Sequence, residues 1–293
     1  MFETKKLKRI FENIENYEGI VKSFVKGTFN KNQILKSLSN NHSKNTKLLP
    51  LKDIFFGVKD IINIEGYPTR CGSNLPHELF GGQQASVVNN LLNAGARFIA
   101  KTVTAEFAIS DPGETRNPRN LMHTPGGSSS GSGAAVAAEF CDFAIGTQTC
   151  GSVIRPASFC GVYAIKPSSG IIPKFGVLET SNILDQMGIF ANCLEDLALA
   201  CDALSDYDSR DPNSRPFPSP VLSIALSKAP PVEPKLVWLE LDYLVNLDGA
   251  VRTGFDQIKD MLSEAEKKVS NSKVSDKQRY ILNYKIETLK QIN

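Results

Sequence analysis

The sequence predicts an α/β protein with helices covering both faces of a sheet. Three observations carry this. From Leu49 onward, apolar runs of strand length alternate with helix-length segments. Glycines punctuate those runs, as at Gly95 and Gly146. The chain has 293 residues, of which 41% are apolar, enough for one large core or two smaller ones.

The elements follow in order. Met1 to Asn45 reads as helical, with Ile10, Ile14, Tyr17, Ile20 and Val21 in a helical period. It is expected to pack outside the core. Residues 40–47 form a polar linker, and Leu49 begins the core. Residues 54–58 read as a strand, 85–94 as a helix ended by Gly95, and 97–101 as a second strand. A small-residue helix is expected over Ala134–Glu139, then strands over 143–146 and 162–166 and a helix over 194–204. Seven prolines between Pro212 and Pro234 exclude a long helix from the 205–234 segment. Leu236 to Leu241 returns to a strand, and 244–292 reads as mostly helical and highly charged. The expected organisation is an N-terminal helical segment (1–48), a core (49–205), a proline-rich loop (206–234) and a strand plus charged helix (235–293).

Composition excludes several roles. A net charge of +2 carries no nucleic-acid signal. The first residues are charged and lack the apolar stretch of a secretory signal, and no run approaches membrane-spanning length. The six cysteines have no paired metal spacing. Neither metal nor cofactor is expected, and reduced thiols suit a cytoplasmic protein.

The densest chemistry lies between Pro125 and Pro167. Gly126 to Gly133 is a Gly/Ser loop, and a second turn holds Thr149, Cys150, Gly151 and Ser152. Such turns let backbone N–H groups crowd toward one point and hold an anion or an oxyanion. A flexible linker fits poorly, because a small-residue helix and an apolar strand follow at once. A phosphate loop needs Gly-Lys-Ser/Thr at its end, and no lysine lies between Thr102 and Lys166. A dinucleotide fingerprint would follow a strand, yet Asn117-Pro118 and Thr124-Pro125 precede these glycines.

The remaining reading is a serine nucleophile, which needs a base. None of His42, His77 and His123 sits in a setting that suggests a triad. Lys59 lies in the apolar run from Ile54 to Ile62, where burial would make its amine neutral. It could equally be the exposed position of a strand.

Together these pieces resemble the amidase signature family of serine hydrolases. The resemblance rests on Gly57-Val58-Lys59-Asp60, then Gly126-Gly127-Ser128-Ser129-Ser130-Gly131-Ser132, then Gly146-Thr147-Gln148-Thr149-Cys150-Gly151-Ser152-Val153-Ile154-Arg155-Pro156. Ser128 and Ser152 stand 24 positions apart, as in the family. Lys101-Thr102, Glu106-Phe107, Phe159-Cys160-Gly161 and Leu184-Asp185 with Gly188 extend the match, which covers roughly 49–204.

The resemblance implies an α/β/α sandwich around a twisted mixed sheet. It implies a Ser–cisSer–Lys triad, with Ser152 as nucleophile, Ser128 after a cis peptide as proton relay and Lys59 as base. The backbone N–H groups of Thr149, Cys150, Gly151 and Ser152 would form the oxyanion hole. Arg155 and Ser129 are candidates for substrate binding. Arg155 could instead pair with an acid such as Asp185, and Ser129, Ser130 and Ser132 could cap the following helix. The implied reaction converts a small-molecule carboxamide to an acid and ammonia or an amine.

Two departures qualify that expectation. The C-terminal part of the family's fold is short or missing here, so a homodimer, a complementing chain or an inactive homologue are alternatives. Gln148 stands where many members carry Asp. With Gly146-Thr147 this resembles stand-alone amidases more than the glutamyl-tRNA amidotransferase A subunit, a glutaminase that remains the second reading.

Overall fold

The computed structural model describes residues 5–39, 49–218, 221–228, 235–239, 247–271 and 285–289. The expected polar linker at 40–47 and parts of the C-terminal expectations, at 240–241, 244–246, 272–284 and 290–292, lie outside them. Two compact units divide the chain, 1–226 and 227–293.

The first unit opens with helix α1 (Lys5–Val21) and helix α2 (Lys31–Ser39), followed by strand β1 (Phe55–Lys59), helix α3 (Ser86–Asn93) and strand β2 (Arg97–Thr102). Then come α4 (Ser130–Ala137), β3 (Phe143–Gln148), α5 (Ile154–Cys160), β4 (Tyr163–Ile165), β5 (Gln186–Ala191), α6 (Leu194–Leu204) and the single turn α7 (Leu222–Ala225). The strands form one mixed sheet in the order β2-β1-β3-β5-β4. Strand β1 runs parallel to β2 and β3, while β5 runs antiparallel to β3 and β4.

Alternation along the buried strands feeds two cores. Phe56, Val58, Phe143, Ile145 and Ile189 join Val87, Val88 and Leu91 of α3 and Leu197 and Leu204 of α6 on one face. Phe55, Ala144 and Phe190 join Leu7, Ile10 and Phe11 of α1 and Ala134 and Val136 of α4 on the other. Both faces are thus covered, and the strands read as unbroken apolar runs because neither side meets water.

Several expectations are corrected. The helix across 1–45 is interrupted after Val21, where Glu18 accepts from Ser23 and Phe24 N–H. Phe24 then bridges to Thr102, and Val25 N–H donates to the Lys101 carbonyl, so this stretch covers the β2 edge instead of coiling. Ile10, Ile14 and Val21 are buried, but Tyr17 is 54% and Ile20 49% exposed. Helix α4 begins at Ser130, four residues before the expected Ala134, because its first turn is built to dock. A Cβ on Gly131 would collide with backbone atoms of Ser23 and Val103. The serines there do not cap it. Ser130 Oγ donates to the Val103 carbonyl and Ser132 Oγ to the Ile145 carbonyl, tying α4 to flanking segments.

Strand β5 has no counterpart among the expected strands. Its Gly188 sits opposite Gly146 of β3. A Cβ at Gly188 would lie 2.5 Å from Val153 Cγ2, and one at Gly146 would lie 2.7 Å from Ser129 Oγ. These glycines read as turn residues, yet they are strand positions that let the active loops approach the sheet.

The second unit has strand β6 (Lys235–Leu239) parallel to strand β7 (Lys285–Leu289), with helix α8 (Gly249–Asn271) between them in sequence. The helix agrees with the charged helical expectation for 244–292, but β7 does not. Parallel pairing with β6 wins there over local helix preference.

Candidate active site

Strand direction assembles the site. Parallel β1 and β3 end at Lys59 and at Thr147–Gln148, while antiparallel β5 begins beside them at Gln186, just after Asp185. Ser128 and Ser129 immediately precede α4, which packs on the same strands.

Lys59 is wholly buried. Its Nζ lies 2.9 Å from Ser128 Oγ, 2.8 Å from Thr147 Oγ1 and 3.5 Å from the Thr147 carbonyl. A neutral amine has two N–H donors and one lone pair. Thr147 supplies two acceptors and Ser128 a hydroxyl that can donate back, so the three partners match that form. Burial pulls the pKa of Lys59 down from 10.5 to about 7, with the Asp185 carboxylate opposing. The peptide bond between Gly127 and Ser128 is cis.

Ser152 is 7% exposed at the start of the segment leading into α5. Its carbonyl accepts from Ser129 N–H at 3.3 Å, which joins the two serine loops through backbone. Among the described residues, no hydrogen bond joins the Ser128 and Ser152 hydroxyls. Likewise, the N–H groups of Thr149, Cys150, Gly151 and Ser152 donate to no protein acceptor there. Such open donors suit a developing oxyanion. Gln148 Oε1 accepts from Val153 and Ile154 N–H at 2.9 and 3.0 Å, capping the start of α5 and fixing the turn from behind.

The two candidate substrate contacts differ. Ser129 is fully buried, and its Oγ donates to the Thr147 carbonyl at 3.2 Å and accepts from Thr147 N–H at 3.4 Å. Its hydroxyl is thereby engaged by β3. Arg155 is exposed, and its Nε donates to the Gly127 carbonyl at 3.0 Å. The alternative of an Arg155–Asp185 pair is overturned: Asp185 accepts from Thr149 and Thr180 hydroxyls and from Thr180 and Ser181 N–H. A cavity of about 190 Å³ opens between Thr147, Asp185, Met187 and the 174–179 and 210–212 segments.

Beneath the site, Lys101 Nζ meets Asp60 Oδ1 at 3.0 Å with both side chains buried. Lys101 also donates to the Ile62 carbonyl and Thr69 Oγ1, at 2.8 and 3.0 Å. Burial disfavours the charge on each, and their mutual attraction opposes it. The pair braces the chain immediately after Lys59.

The amidase family pattern matches residues 6–291. The chain belongs to the amidase family. Among curated relatives, the glutamyl-tRNA(Gln) amidotransferase A subunit of Thermodesulfovibrio yellowstonii is 34% identical over 88% of this chain and 54% of its own length. That of Rippkaea orientalis is 37% identical over 71% and 45%. This amidase-family chain therefore spans about half the length of the curated relatives it matches. The solved amidotransferase A subunit of Thermotoga maritima superposes with a TM-score of 0.70 at 26% identity, over 96% of this chain and 57% of that one. The peptide amidase of Stenotrophomonas maltophilia shares the fold, with a TM-score of 0.79 at 23% identity over 96% and 57%. No helix among the described residues is long and apolar enough to cross a membrane.

The sequence reading did not single out Thr147 as a partner of Lys59, although it lay in the quoted Gly146-Thr147-Gln148 match. No spacing rule separates a strand-end threonine that meets a lysine from one that meets solvent.

Proposed function

We propose that this chain hydrolyses a small-molecule carboxamide through an acyl-enzyme on Ser152. The observation that carries it is the buried Lys59 amine, with a pKa near 7, against Ser128 Oγ. In the scheme, Ser152 Oγ attacks the carbonyl carbon and passes its proton to Ser128 Oγ, whose own proton moves to Lys59 Nζ. The negative oxygen of the tetrahedral adduct takes hydrogen bonds from N–H groups of the Thr149–Ser152 turn. The C–N bond breaks as the proton returns through Ser128 to the leaving nitrogen. Water then cleaves the acyl ester by the same relay. Arg155 is the group available for an anionic part of the substrate, while Ser129 acts by holding β3. Every group in the scheme falls within 49–205. A reduced, cytoplasmic setting fits the six free thiols. A second copy or a complementing chain would be the partner to seek.

The identity to amidotransferase A subunits favours a second reading, release of ammonia from glutamine for a partner. An inactive homologue is the third. One experiment separates them: intact mass after a fluorophosphonate, with Ser152→Ala as control, followed by turnover of glutamine and of simple amides. A single adduct absent from the control is expected, with turnover of simple amides. Turnover confined to glutamine selects the second reading, and no adduct on folded protein selects the third.

A further inference from the structure

We propose that Asp185 is a positioning residue that clamps the Thr149–Ser152 turn to the 180–185 loop, beside Lys59 and Thr147. It rests on the acyl-enzyme reading above and adds a part that reading does not use. Asp185 is 8% exposed at the head of β5. One carboxylate oxygen takes the Thr149 hydroxyl and, at 3.0 Å, that of Thr180. The other takes Thr180 and Ser181 N–H at 2.7 and 2.9 Å. Thr149 is the first residue of the proposed oxyanion turn, so the clamp acts where that turn leaves β3. Burial raises the pKa of Asp185, but the hydrogen bonds from Thr149, Ser181 and Thr180 outweigh it and hold the carboxyl below its ordinary value. The group is ionised wherever the enzyme works.

That fixed negative charge reaches Lys59 without touching it, since the hydrogen bonds of Lys59 go to Ser128 and Thr147. The other charged groups have partners of their own. Asp60 and Lys101 face Lys59 from β1 and β2 as a pair. Lys174, Glu179, Arg210 and Asp211 line the cavity beside Asp185, where Lys174 lies 3.8 Å from Glu179 and Arg210 binds Asp208. Asp185 therefore has two separable effects. Its hydrogen bonds hold the oxyanion turn. Its charge favours the protonated amine of Lys59 and so sets how far into acid the base survives.

Two variants separate them. Asp185→Asn keeps the clamp, because an amide oxygen can take both N–H donors while its NH2 donates to the two threonine hydroxyls. Thr149→Val removes the clamp and keeps the charge. The readout is the fluorophosphonate labelling rate of the full chain across pH. With Asp185→Asn the acid limb should move roughly half a unit to one unit lower, less than the 1–3 units of a contact pair. With Thr149→Val the rate should fall at least about 10-fold, in the range of losing oxyanion stabilisation, with the limb in place. Should Asp185→Asn fail to fold, Thr149→Val decides. A wild type that labels with a clear acid limb, beside variants that match it in both rate and limb, overturns the clamp alone. A wild type that labels at no pH removes the serine site and the clamp together.

Discussion

The depressed pKa of Lys59 makes a stability prediction that needs no substrate. In the unfolded chain this amine titrates near 10.5, and in the fold near 7. Between those values the unfolded state holds a proton that the folded state lacks, so stability rises with pH across the window. The contribution is complete above 10.5 and is lost as pH falls through 7. At about 1.4 kcal/mol per unit, the full span of about 3.5 units is worth about 5 kcal/mol. The accessible part, from about pH 7 to about pH 9, is worth about 2.7 kcal/mol. Lys59→Met removes the titration but keeps an unbranched apolar stem. It also removes the amine that bonds Ser128 and Thr147, at about 1 kcal/mol each, a cost that does not vary with pH in this range. The assay is urea unfolding of wild type and variant at pH 6, 7, 8 and 9. The wild type should gain about 2.7 kcal/mol on the variant between pH 7 and 9, and below about pH 6 the difference should level off. Other titrating groups are common to both proteins and cancel. A difference that stays within about 0.5 kcal/mol across the series would falsify a buried, neutral Lys59.

Further outcomes follow from the same geometry. Turnover should fall as pH drops through about 7 and Lys59 takes up a proton, measured as kcat/KM against pH. Ser152→Ala should abolish turnover, and Ser128→Ala and Lys59→Ala should each cost several orders of magnitude without adding in the double variant, because a relay fails as a unit. Gly131→Ala should destabilise by about 3 kcal/mol or more in urea unfolding, since the added methyl meets backbone rather than a movable side chain. Arg155→Met should raise KM for amides bearing a carboxylate and leave KM for neutral amides within about threefold, a split visible in parallel kinetics.

How much of this was legible in the sequence depended on how local the cause was. Strands β1, β2 and β3 were readable because burial on both faces leaves unbroken apolar runs. The interrupted N-terminal helix was not. The Ile10–Val21 pattern continues smoothly, and only the pairing of Phe24 with distant Thr102 ends it. Strand β5 was hidden because its Gly188 answers to Val153, 35 positions earlier, and not to its own neighbours. In the site, Lys59, Ser128 and Ser152 were nameable from motif spacing. Thr147 and Asp185 were not assigned roles, because the contacts that define them cross from strand to strand.

The sheet explains why a lysine can be kept neutral at this place. Parallel β1 and β3 put two strand ends side by side, and antiparallel β5 brings a strand beginning to the same edge. Polar groups collect there because backbone pairing stops: Lys59, Thr147, Gln148 and Asp185 all lie within one residue of a strand terminus. Two residues before Lys59, β1 is walled by Thr102, Ala144 and Cys141, atoms that offer an ammonium little hydration. The amine therefore lies where apolar sheet meets polar loop. Deeper in the sheet it would have no hydroxyl to bond; farther out, water would restore its ordinary basicity. Gln148 belongs to the same logic, since its side chain turns away from Lys59 to cap α5 and adds no charge. On this argument, Gln148→Glu would place a second carboxylate next to Thr147 and push the working pH of Lys59 upward, the opposite direction to Asp185→Asn. The two variants together would bracket the electrostatic contribution to the base.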